Sequence, residues 1–404
     1  MTTEGVGVGI ALNLPRTAGA DTPSTADGAA RSVPLRHRLR AHLPAWRAAG
    51  ASPRVLQWIR EGAACEWTSG PPPPFNHGVS LRDMTPQEAD FLEKEVARCF
   101  TTGAWEAAPP DERLHISRVH LVKKKTPPGL PQKYRVVVDL RPLNAYCRKR
   151  TCRYETLKCL QRLAARGSWA ISFDLADGYH QVGIRKDHRR YMTFAIPPST
   201  ADPDGPPRYI RCAALPFGWT ASPLIFTKVM RVMVRMLRSP LAPTATDLRG
   251  GRGRPHVVPL GRRRSRDRPA TLGIRTLPYV DDFLCLFSSR REAKQGRRRV
   301  AHVLAQLGIS RHPDKGYWEP TQRLEHLGLD IDFELGLFKI PPAKIVALMA
   351  QAREIRHLAG RERRLVSVRK LASFVGYAQS VHLACPPARF YLRSLHDAMA
   401  TRRS

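Results

Sequence analysis

Acidic side chains are scarce in this sequence: 34 Asp and Glu stand against 67 Lys and Arg in 404 residues, a formal net charge of +33. A soluble chain with that surplus calls for a polyanionic partner, nucleic acid first and a membrane surface second. Long apolar runs are missing too. None approaches the ~18 residues of a membrane-spanning helix, which excludes a membrane anchor of that kind. The apolar start at 6–14 follows Glu4 without a basic flank, which argues against a secretory signal. The eight cysteines include no C-x-x-C pair, and Cys147, Cys152 and Cys159 have the wrong spacing for a zinc site. Reduced thiols in a cytoplasmic or nuclear protein are the expectation. No internal repeat is visible.

What remains is a chain that is 42% hydrophobic, enough for a core, and long enough for two or three compact units. Residues 1–32, rich in Ala, Gly and Thr, read as a disordered leader. Helical spacing of Val55, Trp58 and Ile59 then marks an N-terminal helical extension over 33–80, closed by the stiff proline run 71–74. Thr85-Pro86-Gln87-Glu88 carries a helix start: a capping residue, proline at the first turn and an early acid. Short apolar runs around Leu121 and over 134–140 predict a β-hairpin with a basic rim. Residues 169–174 predict a strand ending on a carboxylate, and 215–237 a Gly/Pro turn running into a long amphipathic helix. Residues 276–287 predict a buried hairpin with Asp281-Asp282 at its tip. Three helical patterns follow Pro341-Pro342. The segment 239–273, with Arg262-Arg263-Arg264 and no periodicity, reads as a basic disordered insertion.

Two adjacent carboxylates between apolar strands are costly unless positive charge lies against them. Asp174, at the end of Ile171-Ser172-Phe173, has the same character. If the sheet brings Asp174 beside the hairpin tip, the acids form an oxygen-rich cage suited to Mg²⁺. Two ions about 3.5–4 Å apart could then hold the attacking and leaving oxygens of an in-line phosphoryl transfer.

These residues carry a resemblance. Tyr279-Val280-Asp281-Asp282 resembles the Y-x-D-D box of reverse transcriptases. The run Phe173-Asp174-Leu175-Ala176-Asp177-Gly178-Tyr179 resembles their preceding metal-binding box, and Leu215-Pro216-Phe217-Gly218-Trp219 with Ser222-Pro223 their L-P-x-G-W-x-x-S-P element, all in the family's order. Val122-Lys123-Lys124 and 134–144 are similar to the fingers hairpin of retroelement polymerases. Residues 307–315 look like the stretch after the acidic hairpin, His326-Leu327-Gly328 like the primer grip, and Leu371-Ala372-Ser373-Phe374 like the thumb of long-terminal-repeat elements. Trp58-Ile59, the proline run and Phe338-Lys339-Ile340-Pro341 resemble DIRS-type retrotransposons.

The resemblance covers roughly 33–400 and implies an α+β right hand: fingers and an antiparallel palm over 81–340, then a helical thumb over 341–404. It implies an RNA-directed DNA polymerase that extends a DNA primer on an RNA template, takes deoxynucleoside triphosphates and holds RNA–DNA duplex. Asp174, Asp281 and Asp282 would bind two Mg²⁺ ions, with Mn²⁺ a possible substitute. Tyr179 would crowd a ribose 2′-OH, the alternative being a packed core tyrosine. Lys124 and Arg135 would contact the triphosphate, Phe217 and Gly218 would lie at the incoming base, and Lys315 would protonate the leaving pyrophosphate. No RNase H, integrase or protease pattern appears. A catalytically dead retroelement remnant that only binds nucleic acid is the competing expectation.

Overall fold

The computed structural model describes residues 34–124, 129, 131–240, 273–360 and 366–400. The leader expected over 1–32 and nearly all of the basic insertion expected over 239–273 lie outside the described residues. Three short helices open the chain: α1 (Leu35–Ala41), α2 (Leu43–Ala48) and α3 (Pro53–Glu61). Ser52 caps α3 by accepting from the Val55 amide, and Val55, Trp58 and Ile59 line its buried face. These helices do not stand apart. Trp46 is fully buried and donates its indole N–H to the Leu307 carbonyl at 2.9 Å, so the extension shares one core with the rest.

The proline run leads directly into β1 (Phe75–Asn76), which pairs with β3 (His115–Ser117), so it delivers a sheet strand and not a free linker. Between them lie α4 (Pro86–Thr102) and β2 (Trp105–Ala107). Thr85 and Glu88 form a reciprocal capping box, and Gly103 ends α4 in the left-handed region at φ 71°. β4 (Val119–Lys123) and β5 (Tyr134–Val138) make the expected hairpin. Then come α5 (Arg141–Tyr146), α6 (Leu157–Leu163), β6 (Trp169–Asp174), β7 (Thr193–Ile196) and β8 (Arg208–Cys212). The order β1-β3-β7-β8-β2 makes a five-stranded mixed sheet that the sequence patterns did not announce. Glu106 on β2 ties that sheet to α1, accepting from Arg36 at 2.9 Å, Arg189 at 2.9 Å and Arg211 at 2.7 Å.

The amphipathic helix α7 (Ser222–Arg238) buries Ile225, Phe226, Val229, Met230 and Met233 at helical spacing. β9 (Arg275–Tyr279) and β10 (Asp282–Phe287) follow, then α8 (Arg290–Leu307), capped by Ser289 and stopped by Gly308 at φ 68°. β6, β10 and β9 form an antiparallel sheet in that order. A second antiparallel sheet comprises β11 (Arg323–His326), β12 (Leu329–Asp332) and β13 (Leu337–Lys339). Four helices close the described chain: α9 (Pro342–Gly360), α10 (Val368–Gln379), α11 (Ala388–Tyr391) and α12 (Arg393–Ala400). α10 packs with α9 and α12 through Leu348, Val375, Ala378 and Leu395.

Candidate active site

β6 is buried from Ala170 to Phe173 and ends on Asp174 as the chain leaves the interior. The β9–β10 hairpin reaches the same end of the sheet. Tyr279 pairs with Asp282, so the turn has only two residues, Val280 and Asp281. Two-residue hairpin turns need a positive φ, and Val280 supplies it at 58°. For a β-branched residue that conformation costs about 1–3 kcal/mol. The flanking pairs offset it: Phe173 stacks on Phe283 at 5.1 Å and 9°, and the Leu175 amide donates to the Asp281 carbonyl at 3.1 Å.

The strand register sets Asp282 directly opposite Asp174, and opposed residues of an antiparallel pair share a face. Asp281, in the turn, lies against Gly178, where a Cβ would come within 3.2 Å of Asp281 Oδ2. Burial and then the charge of Asp174 raise the proton affinity of Asp281. Burial, then Asp174 and Asp281, push Asp282 up to about 6. Lys315 answers this negative charge, its Nζ 3.4 Å from Asp174 Oδ2. The loop carrying it is pinned to β6: the Ser172 amide donates to the Tyr317 carbonyl at 2.8 Å, and the Tyr317 amide to Ser172 Oγ at 2.9 Å.

Among the described residues no three His, Cys, Asp or Glu side chains are drawn together as a ready-made metal cluster. The donor chemistry nevertheless fits a hard cation, because all three groups are carboxylates at one end of one sheet. Burial first and the neighbouring acids second raise the proton affinity of Asp282, and a divalent ion would relieve both.

Beside the acids lies an aromatic and cationic wall. Tyr179 sits in the short 3₁₀ segment Gly178–Gln181, entered through Asp177 at φ 51° and held there by the Arg98–Asp177 ion pair at 2.5 Å. Its ring is 9% exposed, edge-on to Phe226 at 5.2 Å and tilted against Phe217 at 4.9 Å. The packed-tyrosine alternative therefore describes its back, while its Phe217 side borders an exposed ring (45%). Burial, with smaller contributions from Tyr154 and Asp281, pushes its phenol well up, keeping it neutral.

Arg135 on β5 holds its guanidinium 5.9 Å from the Phe217 ring. Lys124 continues the facing strand β4, and burial followed by the charge of Arg135 lowers its proton affinity. Gly218, at φ 94°, approaches the Val138 carbonyl so closely that a Cβ would lie 3.3 Å from that oxygen. The nine residues singled out from the sequence thus occupy one connected neighbourhood.

Three others were present in the motifs or nearby but carried no expectation. Asn144 bridges two segments, donating to the Gly218 carbonyl at 2.8 Å and accepting from the Thr220 amide at 2.9 Å. Gly178 makes room for Asp281, and Arg98 fixes the turn before Tyr179. A polar Asn after Pro142-Leu143 was the only sequence sign of the first. The other two depend on contacts between distant segments.

Comparisons with known proteins agree with this geometry. The family described as reverse transcriptase (RNA-dependent DNA polymerase) matches residues 122–331. Among solved structures, a foamy viral protease-reverse transcriptase in complex with double-stranded DNA superposes with a TM-score of 0.56 at 13% identity, covering 91% of this chain and 56% of that one. The chain therefore spans little more than half the length of that structure. It belongs to the reverse transcriptase family and has the right-hand polymerase fold.

Proposed function

We propose, from that membership, that the chain is an RNA-directed DNA polymerase of a retroelement, adding deoxynucleotides to a primer 3′-OH on an RNA or DNA template. The observation that carries this reading is the β6–β10 register, which sets Asp174 and Asp282 face to face with Asp281 in the adjoining turn. Those three carboxylates would hold two Mg²⁺ ions, or Mn²⁺ in their place. When bound, such ions lower the pKa of the attacking hydroxyl and neutralise charge on the leaving phosphate.

The protein's own groups complete the task. Arg135 grips triphosphate oxygens bidentately and Lys124 adds a point charge, which the anionic phosphates would stabilise against the burial and the Arg135 charge that lower its proton affinity. Phe217, exposed between Arg135 and Tyr179, stacks on the incoming base by shape, which a template-directed enzyme requires. The Tyr179 ring, braced by Phe226, excludes a ribose 2′-OH. Gly218, anchored by Asn144, keeps this wall flat. Lys315, held beside the acids by its ion pair with Asp174, would give its proton to the departing pyrophosphate.

The test is primer extension on an RNA template with and without divalent ion. Asp174→Asn should abolish extension while leaving template–primer binding in place; persistent extension by the purified variant removes the catalytic assignment. Tyr179→Val should raise ribonucleotide incorporation, and unchanged sugar selectivity refutes the steric role.

A further inference from the structure

A cavity of about 910 Å³ opens between α1, α3 and the short helical segment Lys186–Tyr191, and none of the nine candidate site residues lines it. Its cations are Arg40, Arg60, Arg185, Lys186, Arg189 and Arg190, against Glu61, Glu112 and Asp187. Each acid is already matched: Glu61 by Arg60 at 2.6 Å, Asp187 by Arg185 at 2.7 Å, and Glu112 by Arg211. Arg189 serves Glu106. Arg40, Lys186 and Arg190 have no ion pair among the described residues, so their charge faces the cavity uncompensated.

A second cavity of about 650 Å³ adjoins the first, sharing Arg60 and Arg185, and mixes apolar with charged lining. Leu43, Leu56 and the edge of Trp58 line it together with Arg47, Arg54, Gln57 and Glu66, and the Arg54 guanidinium, paired with Glu66, lies 5.3 Å over the Trp58 ring. The wall between is fixed. The Ala63 amide donates to the Gly183 carbonyl at 2.8 Å and the Arg185 amide to the Ala63 carbonyl at 2.9 Å. A Cβ on Gly62 would stand 2.5 Å from the Arg185 nitrogen, so only glycine lets the helical extension lie this close.

We infer that these joined cavities form a groove for single-stranded nucleic acid, separate from the acidic hairpin. Backbone phosphates lie on Arg40, Lys186 and Arg190, and unpaired bases lie against Leu43, Leu56 and the Arg54 plane. A long groove lined by cations throughout, with apolar side chains set among them at one end, matches a strand with exposed bases. A duplex presents phosphates and sugars and would leave Leu43 and Leu56 unused. RNA and DNA strands share the recognised chemistry. The inference does not lean on the polymerase reading, since a chain without catalysis would still bind here.

The test uses the full chain, with labelled oligouridine and oligothymidine titrated by fluorescence anisotropy across a salt series. A groove variant, Arg40→Gln with Lys186→Gln and Arg190→Gln, is compared with an equal charge loss on the exposed face of α8, Arg291→Gln with Lys294→Gln and Arg298→Gln. Each phosphate contact on a single strand contributes about 0.7 to the log–log salt slope, so the groove variant should lose about two units. The α8 variant should stay near wild type. Lys186→Gln alone, at an exposed position, should show about a third of that loss. Equal losses in both triple variants, or none in the groove variant, overturn the assignment. So does an equal weakening of blunt duplex RNA, a loss confined to one of the two oligonucleotides, or lost binding to phosphatidylserine vesicles with the oligonucleotides unaffected.

Discussion

The sheet that carries the carboxylates and the helices that follow it are built differently. In the sheet, Phe173, Phe283 and Phe287 are essentially inaccessible, and α7 and α8 lay their apolar faces on it. In the C-terminal helices, α9 buries no residue completely, α10 buries two, and Phe390 and Tyr391 stand 81% and 79% exposed. Charges that must act on one another within a few ångströms need an immobile support. Helices with few buried contacts open locally at small cost and can follow whatever lies against them. Rigidity is concentrated where electrostatics demands it.

This contrast can be attacked at several points. The largest effect is expected from Asp281→Asn: primer extension should drop about a thousandfold or more, several kcal/mol of lost charge stabilisation. The unfolding midpoint should hold or rise, because a strained charge has been removed. A variant that loses stability in step with activity would mean that the turn aspartate is structural. Next, Phe283→Ala should cost about 3–5 kcal/mol by urea denaturation, whereas Leu395→Ala in α12, only partly buried, should cost about 1 kcal/mol or less. Equal costs would erase the difference between the regions.

A pH series sharpens the same comparison. Asp282 moves from an ordinary 3.8 to about 6 on folding. The folded state then holds more protons than the unfolded chain between those values, so metal-free stability declines as pH rises through that window and levels off above it. Burial lowers His326 to about 4, which works in the opposite sense, with stability lost as pH falls below its ordinary 6.5. Asp282→Asn retains the histidine. Its advantage over wild type in thermal unfolding should therefore grow from pH 4 to 6 and then stay constant; an advantage independent of pH contradicts the assigned burial of charge. Gly178→Ala should reduce extension about tenfold at a stability cost of about 1–2 kcal/mol, because the added methyl meets the Asp281 carboxylate and alanine is strained at φ 26°. Smallest of all, Tyr391→Ser should change stability by no more than about 0.5 kcal/mol.

Much of this was legible in the residues themselves. The strand ending on Asp174, the acidic hairpin and the capped helix at Thr85 each rest on local chemistry, continuous apolar runs or a capping box, and each appears at the expected place. That the acids would meet depended on which strands pair, and the β6–β10 register supplies that pairing. The five-stranded sheet was not legible. Its strands are only two to five residues long, two of its pairings are parallel, and its partners lie far apart in the chain. The first half of α8 was equally hidden, since it buries only Ala293 and Gly296 between arginines, while Val300, Val303, Leu304 and Leu307 keep helical spacing in its second half. The site's supports, Asn144, Gly178 and Arg98, act through contacts between segments, for which a single sequence offers no spacing rule.

The indole of Trp46 reaching the carbonyl of Leu307 has a practical consequence for anyone who would trim this protein. A fragment cut to the matched stretch 122–331 would look complete by sequence. It would discard Trp46, Val55, Leu92 and Trp105, all interior partners of the retained strands and helices. Such a fragment should aggregate on expression, whereas one beginning at Pro34 keeps its inside filled.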